Sequence, residues 1–235
     1  MAAPTISWHR GGSELEPSAS RAAFVAAARR GAAMVEVDVR QSADGILVCV
    51  HDPDLPGIGP VADAKLAGTD VFTLEQFLDD LDREDPERRI VVHYDLKDAG
   101  YELEAVDALV ERHRPFFVTT GEVPSIVLLR RERPDVPAYL TIGRSAAGLS
   151  RWATLRLRLS ELFPEATIRS CAATGIAIHQ TLAWWPTRWW CRRRDLPVAV
   201  WTVDADADLQ KWLRRPIAVL TTNRPLAALA LREAL

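Results

Sequence analysis

The chain has 235 residues, 48% hydrophobic and 26% charged, with a formal net charge of −3 and a pI near 6.0. This is the profile of a globular protein, long enough for one large domain over residues 1–235 rather than two small ones. The balance excludes a general nucleic-acid binder, which would carry a basic face, and no apolar run is long enough to cross a bilayer.

Cys49, Cys171 and Cys191 are odd in number and widely spaced, which fits neither a disulfide framework nor a metal knuckle. A reducing compartment follows. The first ten residues, MAAPTISWHR, lack the basic-then-apolar order of a signal peptide, so the expected setting is cytoplasmic.

In chain order, residues 6–9 predict a first strand that ends on His9 and Arg10, with Gly11 and Gly12 next. An imidazole and a guanidinium at a strand end, with glycines leaving room beyond them, suit an anion. Residues 18–30 carry alanines and Phe24 at helical spacing. Residues 34–40, MVEVDVR, form a second strand, and the Ala43-Asp44-Gly45 turn sends residues 46–50 back as another extended run. Helix 74–81, strand 90–96, helix 103–112, strand 116–119, helix 125–131, strand 138–142 and helix 153–162 follow. Residues 168–172 and 176–178 are candidates for the sixth strand. The segment 184–194 is helical in part, and strand 198–203, helix 209–213, strand 218–221 and helix 226–231 close the chain.

Strands alternating with helices argue for a parallel sheet, and eight such units in about 250 residues for a closed (β/α)8 TIM barrel in a single α/β domain. An open doubly wound sheet is the competing architecture. It is disfavoured because no glycine-rich phosphate loop follows any strand.

In a barrel, chemistry collects at the strand ends. Residues two apart on a strand share a face, so Glu36 and Asp38 point together, as do Asp95 and Lys97. Carboxylates aimed into a barrel are costly to bury unless a cation offsets them. Three oxygen ligands, Glu36, Asp38 and Asp95, suit one divalent cation, Mg²⁺ ahead of Ca²⁺, and argue against zinc. Lys97 and Arg10 would neutralise phosphoryl oxygens, and His9 and His51 would work as a general acid–base pair. His93 lies deeper on its strand and reads as a barrel-interior histidine. Asp52 either orients His51 or caps a turn.

The ordered motifs HRGG, VEVDVRQSADGILVCVHD, DLK, WTVD and TTNRP resemble the glycerophosphodiester phosphodiesterase family. The resemblance runs over nearly the whole chain. It implies a (β/α)8 barrel and metal-dependent cleavage of a small-molecule phosphodiester to glycerol 3-phosphate and an alcohol. It implies His9 and His51 as catalytic residues, Glu36, Asp38 and Asp95 as metal ligands, Arg10 and Lys97 as phosphate-binding residues, and Trp201 on the alcohol side of the pocket. It also allows a substrate hydroxyl to attack first and give a cyclic phosphate.

The chain departs from that pattern. The stretch usually reading P-E-N-T is Pro17-Ser18-Ala19-Ser20, the third ligand is Asp95 rather than glutamate, and Asn223 replaces an aspartate. Asp95 in DLK resembles the related sphingomyelinase D-like phospholipases, which makes a phospholipase D-like activity on lysophospholipids or sphingomyelin the second reading. A barrel that binds a phosphorylated ligand without cleaving it is the third. Residues 184–194 hold four of the eight tryptophans beside Arg192, Arg193 and Arg194. They read as a helix packed outside the barrel, or as a peripheral membrane contact.

Overall fold

A computed structural model describes residues 3–143, 150–152, 161 and 164–235. Strand β1 is Thr5–His9 and β2 is Met34–Gln41. Beyond β2 come short extended pieces: β3 (Leu47–Val48), which pairs antiparallel with β2, and the small hairpin of β4 (Asp54–Leu55) and β5 (Gly59–Pro60). The remaining strands are β6 (Val91–Leu96), β7 (Phe116–Thr120), β8 (Ala138–Ile142), β9 (Gly175–His179), β10 (Val198–Trp201) and β11 (Val219–Thr222). Their order is β1-β11-β10-β9-β8-β7-β6-β2, and β1 pairs with β2 to close the ring. Every pairing around the ring is parallel. The architecture is the single-domain (β/α)8 barrel that the strand–helix rhythm implies.

The barrel strands are buried on both faces, as parallel strands under helices must be. On β2, Val35, Val37 and Val39 are fully buried in the core shared with the surrounding helices. The other parity, Glu36, Asp38 and Arg40, points to the lumen and is also buried. A separate cluster of Met34, Phe117, Tyr139, Ala177, Ala199 and Val219 plugs the lumen. The polar side chains therefore gather beyond this plug, toward the strand C-termini.

Local signals explain the helix starts. Helix α1 (Arg21–Arg29) is capped by Ser20, whose hydroxyl accepts from the Ala23 amide. Helix α2 (Leu74–Glu84) opens with a reciprocal capping box between Thr73 and Gln76. Helices α3 (Glu102–Glu111) and α4 (Val123–Glu132) follow. Further helices span Glu165–Cys171, Trp185–Arg192, Asp206–Leu213 and Pro225–Glu233.

One expected strand is corrected. Residues 168–172 lie mostly in the helix Glu165–Cys171, and Ala172 caps it with φ 53°. The physical reason is spacing: Ile168 and Cys171, three apart, are both buried, as on one helix face. The sixth barrel strand is β9, and its first residue is glycine where a Cβ would lie 2.7 Å from the Tyr139 ring. The predicted helix over 153–162 lies, apart from residue 161, outside the described residues.

The Ala43-Asp44-Gly45 turn does more than reverse the chain. The Asp44 carboxylate accepts from the Ser42 hydroxyl at 2.6 Å and from the backbone amides of Leu66 and Ala67 at 2.9–3.1 Å. It thus pins the far end of the excursion that carries His51. The Ser42 hydroxyl, then the two amides, hold the Asp44 carboxyl down at about 2. A depressed carboxyl stabilises the fold above its ordinary value of 3.8, and that stability is lost as pH falls toward 2. Asp44→Asn is therefore expected to melt below wild type at pH 7, with the gap closing between about pH 4 and pH 2. Identical melting temperatures at pH 7 would contradict this assignment.

Candidate active site

Register brings the polar strand ends together. His9 on β1 sits opposite Glu36 on β2, and Asp38 on β2 opposite Asp95 on β6. Around them lies a cavity of about 610 Å³ whose lining includes His9, Arg10, Glu36, His51, Asp95, Lys97 and Trp201. Oxygens of Glu36, Asp38 and Asp95 lie within 4.8 Å of one another. Every predicted site residue except Asp38 lines this cavity, and Asp38 lies in its wall, paired with Arg10 and Lys97.

Cations bind this acidic group from both sides. Arg10 Nε is 2.6 Å from Asp38 Oδ2, and Lys97 Nζ is 2.7 Å from Asp38 Oδ1 and also pairs with Asp95. Burial alone would raise the Asp38 carboxyl, but Lys97 and Arg10 outweigh it and hold it below its ordinary value. Glu36 has less cation nearby. Burial, then the charges of Asp38 and Asp95, push its carboxyl well above the ordinary range. Lys97 is also partly buried, which by itself would lower its ammonium, yet Asp95, Asp38 and Glu36 raise it above the ordinary lysine value.

This set can hold a divalent cation. Both Asp38 oxygens are buried and each is met by one cation, Arg10 or Lys97; a carboxylate oxygen has a second lone pair, which a metal can take. An all-oxygen ligand group fits a hard cation better than zinc.

The turn after β1 is built from left-handed residues. Arg10, Gly11 and Gly12 have φ 51°, 80° and 83°. The Arg10 amide donates to the Glu36 carboxylate at 2.9 Å. The glycines were expected to leave room for an anion, and instead they pack closely. A Cβ on Gly11 would sit 2.7 Å from the Ala23 backbone, and one on Gly12 would sit 3.0 Å from Pro225. They let the turn pack against the start of α1 and of the last helix.

His9 is fixed by a relay that sequence reading misses. Its Nδ1 lies 2.7 Å from Asn223 Oδ1, and Asn223 Nδ2 donates to Asp204 at 2.8 Å. Asp204 also accepts from the Asn223 amide and the Thr222 hydroxyl. With the amide nitrogen committed to Asp204, the amide oxygen faces His9, so Nδ1 is the donor and Nε2 carries the lone pair. Nε2 lies 3.9 Å from Glu36. Burial, then the Arg10 charge, lowers the His9 pKa and favours neutral imidazole.

His51 is held differently. It is exposed and lies in the bend after β3, with Nδ1 2.7 Å from Asp52 Oδ1. Asp52 thus orients His51. Arg40 grips the His51 carbonyl with Nε and Nη2 at 3.0 and 2.8 Å, and pairs with Asp98. Arg40 shares the face of Glu36 and Asp38, and that parity is the signal that could have found it. Thr119 donates to Asp95 at 2.5 Å, and nothing in its local sequence marks it.

His93 is an interior histidine, as its depth implies. It bonds Ser7 and Thr119 at 3.2 Å and stacks on Phe117 at 4.5 Å, and burial lowers it to about 4. Trp201 ends β10 on the cavity wall, with the His179 ring 5.2 Å away edge to face.

Asn223→Ala should remove the tautomer lock on His9. Imidazole nitrogen chemical shifts should move from a single Nδ1–H form to a mixture, while the melting temperature changes little. Retention of one tautomer in the variant would show that the relay does not set it.

Residues 9–102, from the last residue of β1 to the first of α3, match the glycerophosphoryl diester phosphodiesterase family. Over 68 residues the chain is 44% identical to a Mycobacterium tuberculosis protein named "Probable glycerophosphodiester phosphodiesterase 1". That match spans 27% of this chain and only about a quarter, 25%, of the relative. Similarity in fold is far more extensive. A glycerophosphodiester phosphodiesterase from Agrobacterium tumefaciens superposes with a TM-score of 0.73 at 24% identity, covering 98% of this chain and 99% of that one. An Oleispira antarctica phosphodiesterase in complex with the product sn-glycerol-3-phosphate gives 0.78 at 18% identity, covering 98% and 97%. His9, the acidic cluster and Lys97 all fall inside the stretch, 9–102, that matches the glycerophosphoryl diester phosphodiesterase family, and the whole chain shares the barrel fold of these solved structures.

Proposed function

We propose that the protein is a metal-dependent phosphodiesterase that hydrolyses glycerophosphodiesters to glycerol 3-phosphate and an alcohol. One observation carries this reading: two histidines, Arg10, Lys97 and three carboxylates meet around one cavity, within the stretch that matches the family. The three free, buried cysteines fit a reducing, cytoplasmic setting.

Glu36, Asp38 and Asp95 would hold one divalent cation, Mg²⁺ by our reading. When bound it supplies Lewis acidity and charge neutralisation at the phosphoryl group. Arg10 and Lys97 bind the remaining phosphoryl oxygens and steady the charge that builds there in the transition state. His9, locked as the Nδ1–H tautomer, accepts through Nε2 the proton of the attacking hydroxyl. The attacking oxygen bonds to phosphorus as the bond from phosphorus to the alcohol oxygen breaks. His51 donates a proton to that leaving oxygen, so the products are a phosphate ester and a neutral alcohol. Trp201 offers an apolar wall to the alcohol. Attack by water gives the monoester directly, whereas attack by a neighbouring substrate hydroxyl gives a cyclic phosphate first.

Phosphorus NMR on the purified protein with glycerophosphodiesters and lysophospholipids, with Mg²⁺, with Ca²⁺ and with EDTA, tests the assignment. The expected spectrum shows a monoester or cyclic phosphate that EDTA abolishes. His9→Ala and His51→Ala should each lower kcat by about 10²–10⁴ with unchanged melting. Full turnover in both variants would refute the acid–base roles. Metal and phosphate binding with unchanged substrate across the panel would make this a binding barrel.

A further inference from the structure

The tryptophan-rich flank lies outside the cavity and its chemistry. The helix Trp185–Arg192 follows β9 and turns Thr187, Trp190 and Cys191 inward. Trp184, Trp185 and Trp189 face out, 44%, 66% and 51% exposed. The segment is therefore split: one tryptophan packs on the barrel and three do not. The rings of Trp185 and Trp189 meet edge to face at 6.4 Å, and the Arg193 guanidinium covers Trp189 at 5.1 Å. Arg192, Arg193 and Arg194 are exposed at the C-terminal end of the helix, Arg194 over the Trp190 ring at 4.3 Å, and Asp195 is the single acidic residue between positions 180 and 196. A crevice of about 400 Å³ at the foot of the helix is lined by Arg188, Arg192 and Asp195 among others.

The paired rings of Trp185 and Trp189, with Trp184 exposed at the start of the same helix, leave apolar surface of the kind that marks a contact surface. Tryptophan rings prefer the boundary between water and acyl chains, and adjacent arginines favour anionic headgroups.

We propose that this flank docks the protein on an anionic phospholipid bilayer, with Trp184, Trp185 and Trp189 entering the headgroup layer and Arg192, Arg193 and Arg194 pairing with lipid phosphates. The helix begins just beyond the C-terminal end of β9, the end of the barrel where the cavity lies. It ends with the arginines beside the starts of β10 and β11, so docking lays this side of the barrel along the membrane. The inference is independent of the catalytic reading, since its readout is binding.

Flotation of the full chain with vesicles of phosphatidylcholine alone, and of phosphatidylcholine with equal phosphatidylglycerol, tests it. Binding is expected only to the anionic vesicles, weakening as salt rises, with a blue shift of tryptophan emission. The double variant Trp185→Ser, Trp189→Ser should lose about tenfold or more of the bound fraction while keeping wild-type melting. Arg193→Glu with Arg194→Glu should lose anionic binding likewise. Absence of flotation with anionic vesicles, or equal flotation by the tryptophan variant, would overturn the proposal. So would a dimer in sedimentation that the tryptophan variant dissolves, which would assign the flank to a second copy.

Discussion

The site rests on the gathering of three carboxylates, two buried and one half-buried, in one barrel lumen. Two unit charges about 5 Å apart repel by roughly 3 kcal/mol at an effective dielectric near 20, and Glu36, Asp38 and Asp95 are closer than this to one another. Arg10 and Lys97 supply two of the three positive charges the cluster needs, and both bind Asp38. The remaining charge is concentrated at Glu36, whose carboxyl is pushed upward toward the protonated form. The cluster can be neutralised by that proton or by a cation, which is the electrostatic basis of a metal site here.

That constraint explains the scaffold around it. The acidic side chains project from neighbouring strands, β2 and β6, whose opposite faces are packed with valine and leucine. A rigid ring of parallel strands holds the oxygens close without allowing them to spread. Cys49, Tyr94 and the valines behind the site exclude water, and that exclusion strengthens the field between charges. The two histidines differ in support. His9 is set by the Asn223–Asp204 relay deep in the ring, whereas His51 stands on an excursion pinned by Arg40 and Asp44.

The flank outside the barrel follows a different logic. Trp190 and Cys191 satisfy packing on the core, and the remaining tryptophans are surplus to it. A helix needs one apolar stripe to join a barrel, and this one has apolar surface on a second face. The sequence shows the aromatic density but not its division between inside and outside, because that depends on which side of the helix meets the sheet.

Much of the fold was legible in the sequence because its signals are local. Alternation of apolar runs with helical spacing, and the parity of Glu36, Asp38, Asp95 and Lys97, follow from geometry that each segment carries alone. The sixth strand was ambiguous because 168–172 is too short to show a period, and its helical state is set by burial of Ile168 and Cys171 against neighbours. Pairwise distances, the tautomer of His9 and the roles of Asn223, Asp204, Arg40 and Thr119 were decided only by tertiary structure. Each depends on contacts between residues 11 to 214 positions apart, or on a shared buried environment. Chain order determined which chemical groups are present and which face each takes. Closure of the ring decided which of them meet, and how much water stands between them.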